Sequence, residues 1–346
     1  MLGFDRHAPP HALGSSHGRS RIIRQAYFEH PDYVPLVQRA LLLWNELQHA
    51  AGRPLLAPGG ALMLGSPDSS LIAGAADSAR RHGLEHEWLE QPELARRFPQ
   101  LCPEPGMVGL WEPTAAALVP EACVGAQLEM ARAAGAELHL NEPILEWSPT
   151  AQGISVTTAQ GVYRAEQLVL AAGSHLPDLL PDVDHGLWIE RQVQYWFEPL
   201  GHSAPPIHLW ELADGTFLYG FPDYGDGLKL ALHHGGEVTN PDAVRRSHDA
   251  QELARLRGLA ERFLPGLTGR LLATEVCLYT NTSDGHFWID RHPDHAAVLI
   301  ASACSGHGFK FASALGESIA AWIATGRQSP ELSLFAHRST TGLATR

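Results

Sequence analysis

The sequence predicts a mixed α/β fold built as two discontinuous domains, and three observations carry that prediction. A chain of 346 residues is long for a single core, so two domains are expected. The apolar run Leu168-Val-Leu-Ala-Ala172 stops at Gly173, the pattern of a buried strand whose tip meets a ligand, as in nucleotide-binding sheets. Strand patterns crowd the stretch from about residue 186 to 275, which suits a larger, mainly antiparallel sheet. The nucleotide domain is expected to take residues 1–55, 119–182 and 276–346, and the second domain 56–118 and 183–275.

Along the chain, Asp32-Tyr-Val-Pro35 opens a helix with Leu36, Val37, Ala40, Leu43, Trp44 and Leu47 on one face, ended by Gly52. Ser66-Pro67 starts a second helix closed by Gly83, and Val119-Pro120 a third that runs to Gly135. Glu137 to Leu140 and Gly153 to Thr158 read as strands, with a turn at Ala159-Gln-Gly161. In the strand-rich part, Trp188 to Phe197, Phe217 to Phe221 and Leu228 to Leu232 are the expected strands, and a polar helix follows from Asp242 to Phe263.

With 45% hydrophobic and 18% charged residues, a folded globular protein is expected. The formal charge of -13 disfavours nucleic acid and anionic membrane as partners. No segment approaches the roughly 20 uninterrupted apolar residues of a membrane span, and Met1-Leu-Gly-Phe-Asp5 does not read as a signal peptide. Cys102, Cys123, Cys277 and Cys304 show no CxxC spacing, so a reduced, cytoplasmic setting is expected.

Two strings near the end carry chemistry. Cys277-Leu-Tyr-Thr280 reads as strand, and Ser305-Gly-His-Gly-Phe-Lys-Phe311 opens a helical run. Glycines ahead of a helix let a ligand approach bare backbone, and the helix N-terminus offers free N–H groups and partial positive charge. Lys310 adds a full charge, so the string suits an anion or a ring on which negative charge develops. Arg21 and Arg24, three apart with Tyr27 behind them, read either as bidentate carboxylate recognition or as a solvated basic patch. Lys229 and His233 share one face of an alternating strand, where an exposed lysine is the ordinary reading. Cys277 alone reads equally as a buried apolar thiol.

These strings, with Gly14-Ser-Ser-His-Gly-Arg-Ser-Arg-Ile-Ile-Arg24 and the stretch from Tyr219-Gly-Phe-Pro to Gly227-Leu-Lys-Leu230, resemble the monomeric sarcosine oxidase and N-methyltryptophan oxidase family, which also includes pipecolate oxidase. The resemblance runs from about Asp5 to the C-terminus. It implies a FAD-binding domain with a Rossmann-like core, a substrate domain, and FAD bound covalently through Cys277. It implies FAD-dependent oxidation of an N-methyl or cyclic secondary amino acid to an imine, with oxygen reduced to hydrogen peroxide by a monomer. By resemblance Arg24 and Lys310 clamp the substrate carboxylate, and Arg21 lies near the flavin. Lys229 stands at the flavin N5 edge, and Tyr219, His233 and Tyr279 line the pocket. His17, Ser20, Gly306, His307 and Gly308 lie on the flavin side, and Asp5, Ile144 and Gly173 at adenosine. Arg19 takes a place where the family usually has an acid. The alternatives are a flavin dehydrogenase with another electron acceptor and a non-catalytic remnant.

A dinucleotide-binding sheet normally opens with a strand, a G-x-G-x-x-G turn and a helix. No such turn is present, and Gly306-His-Gly308 is a decoy because position 311 is Phe. The chain is therefore expected to start inside the second strand of such a sheet, with Asp5's strand lacking a neighbour and FAD held poorly. His233-His234 and His292 with His295 lack a third ligand at zinc-like spacing, so no metal is expected and these are read as solvated loop histidines.

Overall fold

The longest strands, Trp188–Pro199 and Thr268–Asn281, are rich in β-branched and aromatic residues and pair antiparallel from Trp188 with Asn281 to Pro199 with Thr268. In this computed structural model, which describes residues 1–201 and 203–336, they belong to a nine-stranded sheet. Across it run Glu237–Val238, Trp188–Pro199, Leu228–His233, Phe217–Phe221, Ile207–Glu211, Ala61–Gly65, Val108–Glu112 and Glu87–Leu89. Ile207–Glu211 lies parallel to Ala61–Gly65, and the other neighbours in this sheet pair antiparallel. The fold is mixed α/β, as expected, and the mainly antiparallel sheet draws most of its strands from the expected stretch and three from residues 61–112.

The helix Ala250–Phe263 covers one face of that sheet, burying Leu256, Ala260 and Phe263 against Trp210, Phe197, Leu218 and Leu230. It begins later than the expected Asp242. Asp249 caps it by accepting from Gln251 N and Glu252 N, while Glu252 returns a bond to Asp249 N, which fixes the first turn at Ala250. The residues ahead of it form a strap instead, whose Arg245 and Ser247 carbonyls accept from the buried Arg191 guanidinium. Ser69 likewise caps the helix Ser70–His82, so that helix starts after the expected Ser66.

Smaller sheets carry the rest. Leu168–Leu170 lies parallel to Val298–Ser302, which pairs antiparallel with Trp288–Arg291. Leu2–Asp5 has a neighbour after all, lying parallel to Glu137–Leu140 from Leu2 with Glu137 to Asp5 with Leu140. Arg21–Ile23, Ala116–Leu118 and Leu56–Pro58 form a third small sheet. The helices Tyr33–Ala51 and Ala312–Thr325 pack together over a core containing Trp44, Phe311, Trp322 and Phe335. His233 and His292 are corrections: His233 ends the strand Leu228–His233 and is half-buried, and His292 is buried, with its ring 5.3 Å from that of Trp147 and 4.9 Å from that of His295. Among the described residues no helix is long and apolar enough to cross a membrane.

Candidate active site

Strand alternation brings Cys277 and Tyr279 to one face of Thr268–Asn281, facing the turn at Ser305 to Gly308. That turn needs its glycines. Gly306 has φ +78, and a Cβ on it would come within 2.6 Å of both His233 and Tyr279. A Cβ on Gly308 would lie 1.7 Å from the Ala303 carbonyl oxygen. The turn delivers the short helix Phe309–Phe311 and then Ala312–Thr325, so Lys310 enters the interior at the start of a helix. From the other end of the chain, Arg21–Ile23 carries Arg21 and leads into Arg24 beside the same space.

The result is a chamber of about 320 Å³. Arg21, Arg24, Tyr219, His233, Tyr279 and Lys310 line it, as do Ser20, Gly173, Cys277, Gly306, His307 and Gly308. Lys229 sits just behind its wall, and His17, Asp5 and Ile144 are not among its lining. Asp5 closes its short strand with its carboxylate accepting from His7 N at 2.8 Å, and Ile144 opens the strand Ile144–Thr150. His17 packs beneath the chamber between the Glu275 carboxylate at 3.0 Å and the Gly14 carbonyl at 3.2 Å.

Charge in this space is tightly held. Arg24, 2% exposed, donates through Nη2 to both Glu29 carboxylate oxygens at 3.1 and 2.9 Å and through Nη1 to Ala26 O at 2.8 Å. Burial opposes the Glu29 charge, but Arg24, His307 and Lys310 together hold its carboxyl below the usual range. Lys310 Nζ donates to His307 O at 2.7 Å, and burial, helped by Arg24, pulls its ammonium down to about 7. Arg24 and Lys310 lie 4.6 and 5.2 Å from the centroid of the Tyr27 ring. Tyr27 OH meets His307 Nδ1 at 2.5 Å, and His307 Nε2 meets Gly285 O at 3.0 Å, so both nitrogens are engaged. Burial takes His307 down to about 4 and His233 well below its ordinary value, leaving both rings neutral at pH 7.

Cys277 sits at the other wall. Arg21 Nη2 lies 3.5 Å from its sulfur and donates to Ser15 O at 3.1 Å. Burial raises the Cys277 thiol, and Arg21 and Lys229 work against that rise. Lys229 Nζ donates to Gly18 O at 2.8 Å and Ser20 O at 2.9 Å, with the Trp196 and Phe221 rings within 5.3 Å. Burial, then Arg21, lowers its ammonium well below the ordinary value.

The chamber therefore fits the flavin that the sequence resemblance implies: a thiol beside a guanidinium, bare glycine backbone that a Cβ would fill, and buried cations where negative charge develops. Sequence reasoning missed Glu29, Phe28, Leu209, Phe221 and Cys304, all in the lining. Glu29 carried a signal, since an acid five residues beyond Arg24 is the natural partner of a buried guanidinium. Away from the chamber, His175, Asp178 and Asp242 bring ligand atoms within 4.8 Å of one another at the surface, where Arg6 pairs with Asp242.

Comparison with known proteins shows the family of the chain. A family model described as FAD dependent oxidoreductase matches residues 2–322. Monomeric sarcosine oxidase of Streptomyces avermitilis is 41% identical, covering 97% of this chain and 90% of its own. N-methyl-L-tryptophan oxidase of Escherichia coli is 36% identical over 95% of this chain and 89% of its own. Among solved structures, a Tyr258Phe mutant of NikD, described as an unusual amino acid oxidase essential for nikkomycin biosynthesis, matches with a TM-score of 0.85 at 24% identity, covering 100% of this chain and 92% of its own.

Proposed function

Because the chain belongs to the FAD dependent oxidoreductase family, we propose that it oxidises an N-methyl or cyclic secondary amino acid to an imine, with oxygen as electron acceptor. The observation that carries this reading is two buried cations, Arg24 and Lys310, gathered at one aromatic ring in the chamber that Cys277 lines. When bound, FAD supplies the two-electron oxidation and the reduction of oxygen to hydrogen peroxide. Arg24 and Lys310 hold the substrate carboxylate, which fixes the C–H next to nitrogen in one orientation. Neutral His233, with Tyr219 and Tyr279, forms the wall beside the amine and adds no positive charge to repel it. Lys229 holds its Nζ in one place behind Ser20, where charge develops as oxygen is reduced.

In the same reading Cys277 is the thioether attachment point, with Arg21 favouring its thiolate. Ser20, Gly306, His307 and Gly308 surround the ring with His17 behind them, and Asp5, Ile144 and Gly173 attend the adenosine. Residues 1–55, 119–182 and 276–346 form the cofactor domain, residues 56–118 and 183–275 the substrate domain, and the enzyme works as a cytoplasmic monomer.

The test is peroxide release in air from an N-methyl amino acid and from the matching amine without its carboxylate. The amino acid is expected to be the far better substrate. Arg24→Ala should raise KM roughly tenfold to a hundredfold, the range of a lost charge-assisted hydrogen bond. Equal turnover of the two amines removes the clamp from the mechanism.

A further inference from the structure

The strand Arg21–Ile23 leaves its sheet after Ile23, and the chain then runs through residues 24–30 with no helix or strand. This stretch is nevertheless deep in the protein, with Arg24, Ala26 and Tyr27 all buried. It carries Arg24, Tyr27, Phe28 and Glu29, so the geometry of the clamp depends on its backbone. Buried N–H and C=O groups need partners, and without a ladder they must find them elsewhere. Two of the N–H groups find a single carboxylate. Glu112, wholly buried at the end of the strand Val108–Glu112, accepts from Gln25 N through Oε1 at 2.7 Å and from Ala26 N through Oε2 at 2.9 Å.

Ala26 is thereby held from two sides, because its carbonyl takes Arg24 Nη1 at 2.8 Å. The helix Ser70–His82 backs the same stretch. Ser78 Oγ donates to Tyr27 O at 2.5 Å, and a Cβ on Gly74 would lie 2.4 Å from Phe28 O. Glu112 itself is not in the lining of the chamber, so it reaches a ligand there only through the residues it holds.

We propose that Glu112 is a positioning residue for the carboxylate clamp: it fixes the backbone at Gln25 and Ala26 so that the Arg24 guanidinium meets the substrate in one orientation. This rests on reading Arg24 as a ligand of the substrate carboxylate. Glu29 alone does not define that orientation, since it belongs to the same irregular stretch and moves with it. Glu112 belongs to the nine-stranded sheet, so it ties Arg24 to the strands that carry Tyr219 and His233. Its charge also faces Arg24. Burial pushes the Glu112 carboxyl up, and the two N–H donors and Arg24 oppose that rise. A carboxylate offers an acceptor to each of two neighbouring N–H groups, and both bonds are charge-assisted. An amide of the same size offers one acceptor and turns its own N–H donors on the other, which leaves a buried donor unpaired and shifts the backbone.

The experiment titrates acetate into the flavin-loaded wild type, Glu112→Gln and Glu112→Asp, followed through the flavin spectrum. Acetate should bind about tenfold more weakly to Glu112→Gln, with flavin content unchanged. Glu112→Asp keeps both oxygens one carbon further back, so its affinity should lie between the two, and it carries the test where Glu112→Gln fails to fold. In turnover of sarcosine or N-methyltryptophan, whichever is faster, Glu112→Gln should raise KM about tenfold and leave kcat within about threefold. Reoxidation by oxygen of photochemically reduced flavin, with no substrate present, should stay within about twofold. Asp249→Ala, which loosens the cap of Ala250–Phe263, serves as a destabilised control and should bind acetate as the wild type does. Unchanged acetate affinity in both Glu112 variants overturns the proposal and leaves the oxidase reading standing. Acetate affinity and reoxidation falling in equal proportion, or Asp249→Ala weakening acetate as much as Glu112→Gln does, also overturns it, because the role is then general stability. A wild type that binds acetate but oxidises neither amino acid overturns the oxidase reading, and the affinities of the variants still decide this proposal. A wild type that binds no acetate overturns the clamp and the proposal with it.

Discussion

At Lys310, burial and the nearby Arg24 guanidinium draw the ammonium down to about 7, while Glu29 draws it back up. The proton is therefore present below about 7 and lost above it, so the carboxylate clamp is weaker in alkaline solution. Acetate affinity should fall between about pH 6 and about pH 9, and Lys310→Met should flatten that profile. A profile unchanged in Lys310→Met assigns the titration to another group. Lys229 makes a different case, because its Nζ touches two carbonyls of the Gly18 to Ser20 segment. Lys229→Met should slow flavin reoxidation by about a hundredfold and leave anaerobic reduction by substrate far less affected. Stopped-flow measurement of the two half-reactions separates that role from a general loss of structure, which slows both alike.

At the scale of elements, the helices that end in glycine were legible because a left-handed C-terminal residue leaves a strong local mark. Gly52 and Gly83, with φ +62 each, close Tyr33–Ala51 and Ser70–His82 as expected. The strap before Ala250–Phe263 was not legible, because its partner Arg191 is more than fifty residues away in sequence. For the same reason Arg24 and Lys310 each carried a local signal, whereas their meeting at the Tyr27 ring appears only once the chain has folded. The neighbour of Leu2–Asp5 is likewise supplied by a segment more than a hundred residues downstream. Two substitutions probe these elements. Asp249→Ala removes two capping bonds and should cost about 1 kcal/mol in urea denaturation, with flavin content unchanged. Gly308→Ala drives a methyl into the Ala303 carbonyl and should reduce flavin content sharply. Full flavin content in Gly308→Ala shows that the turn can rearrange without loss of the site.

Across the whole molecule all four cysteines are free in the structure, and they differ in access: Cys102 is exposed, Cys304 intermediate, Cys123 and Cys277 buried. Native protein should therefore show one fast-reacting thiol. After denaturation the flavin-loaded protein should show three of the four thiols if Cys277 carries the flavin, and four if it does not. The meeting of Arg24 with Lys310 has a further consequence, in time. A ribosome adding roughly 5–20 residues per second releases the first on the order of tens of seconds before it makes the second. During that interval Arg24 waits near Glu29, only five residues along, so the nascent chain carries its own counter-ion while the helix that brings Lys310 has yet to be translated.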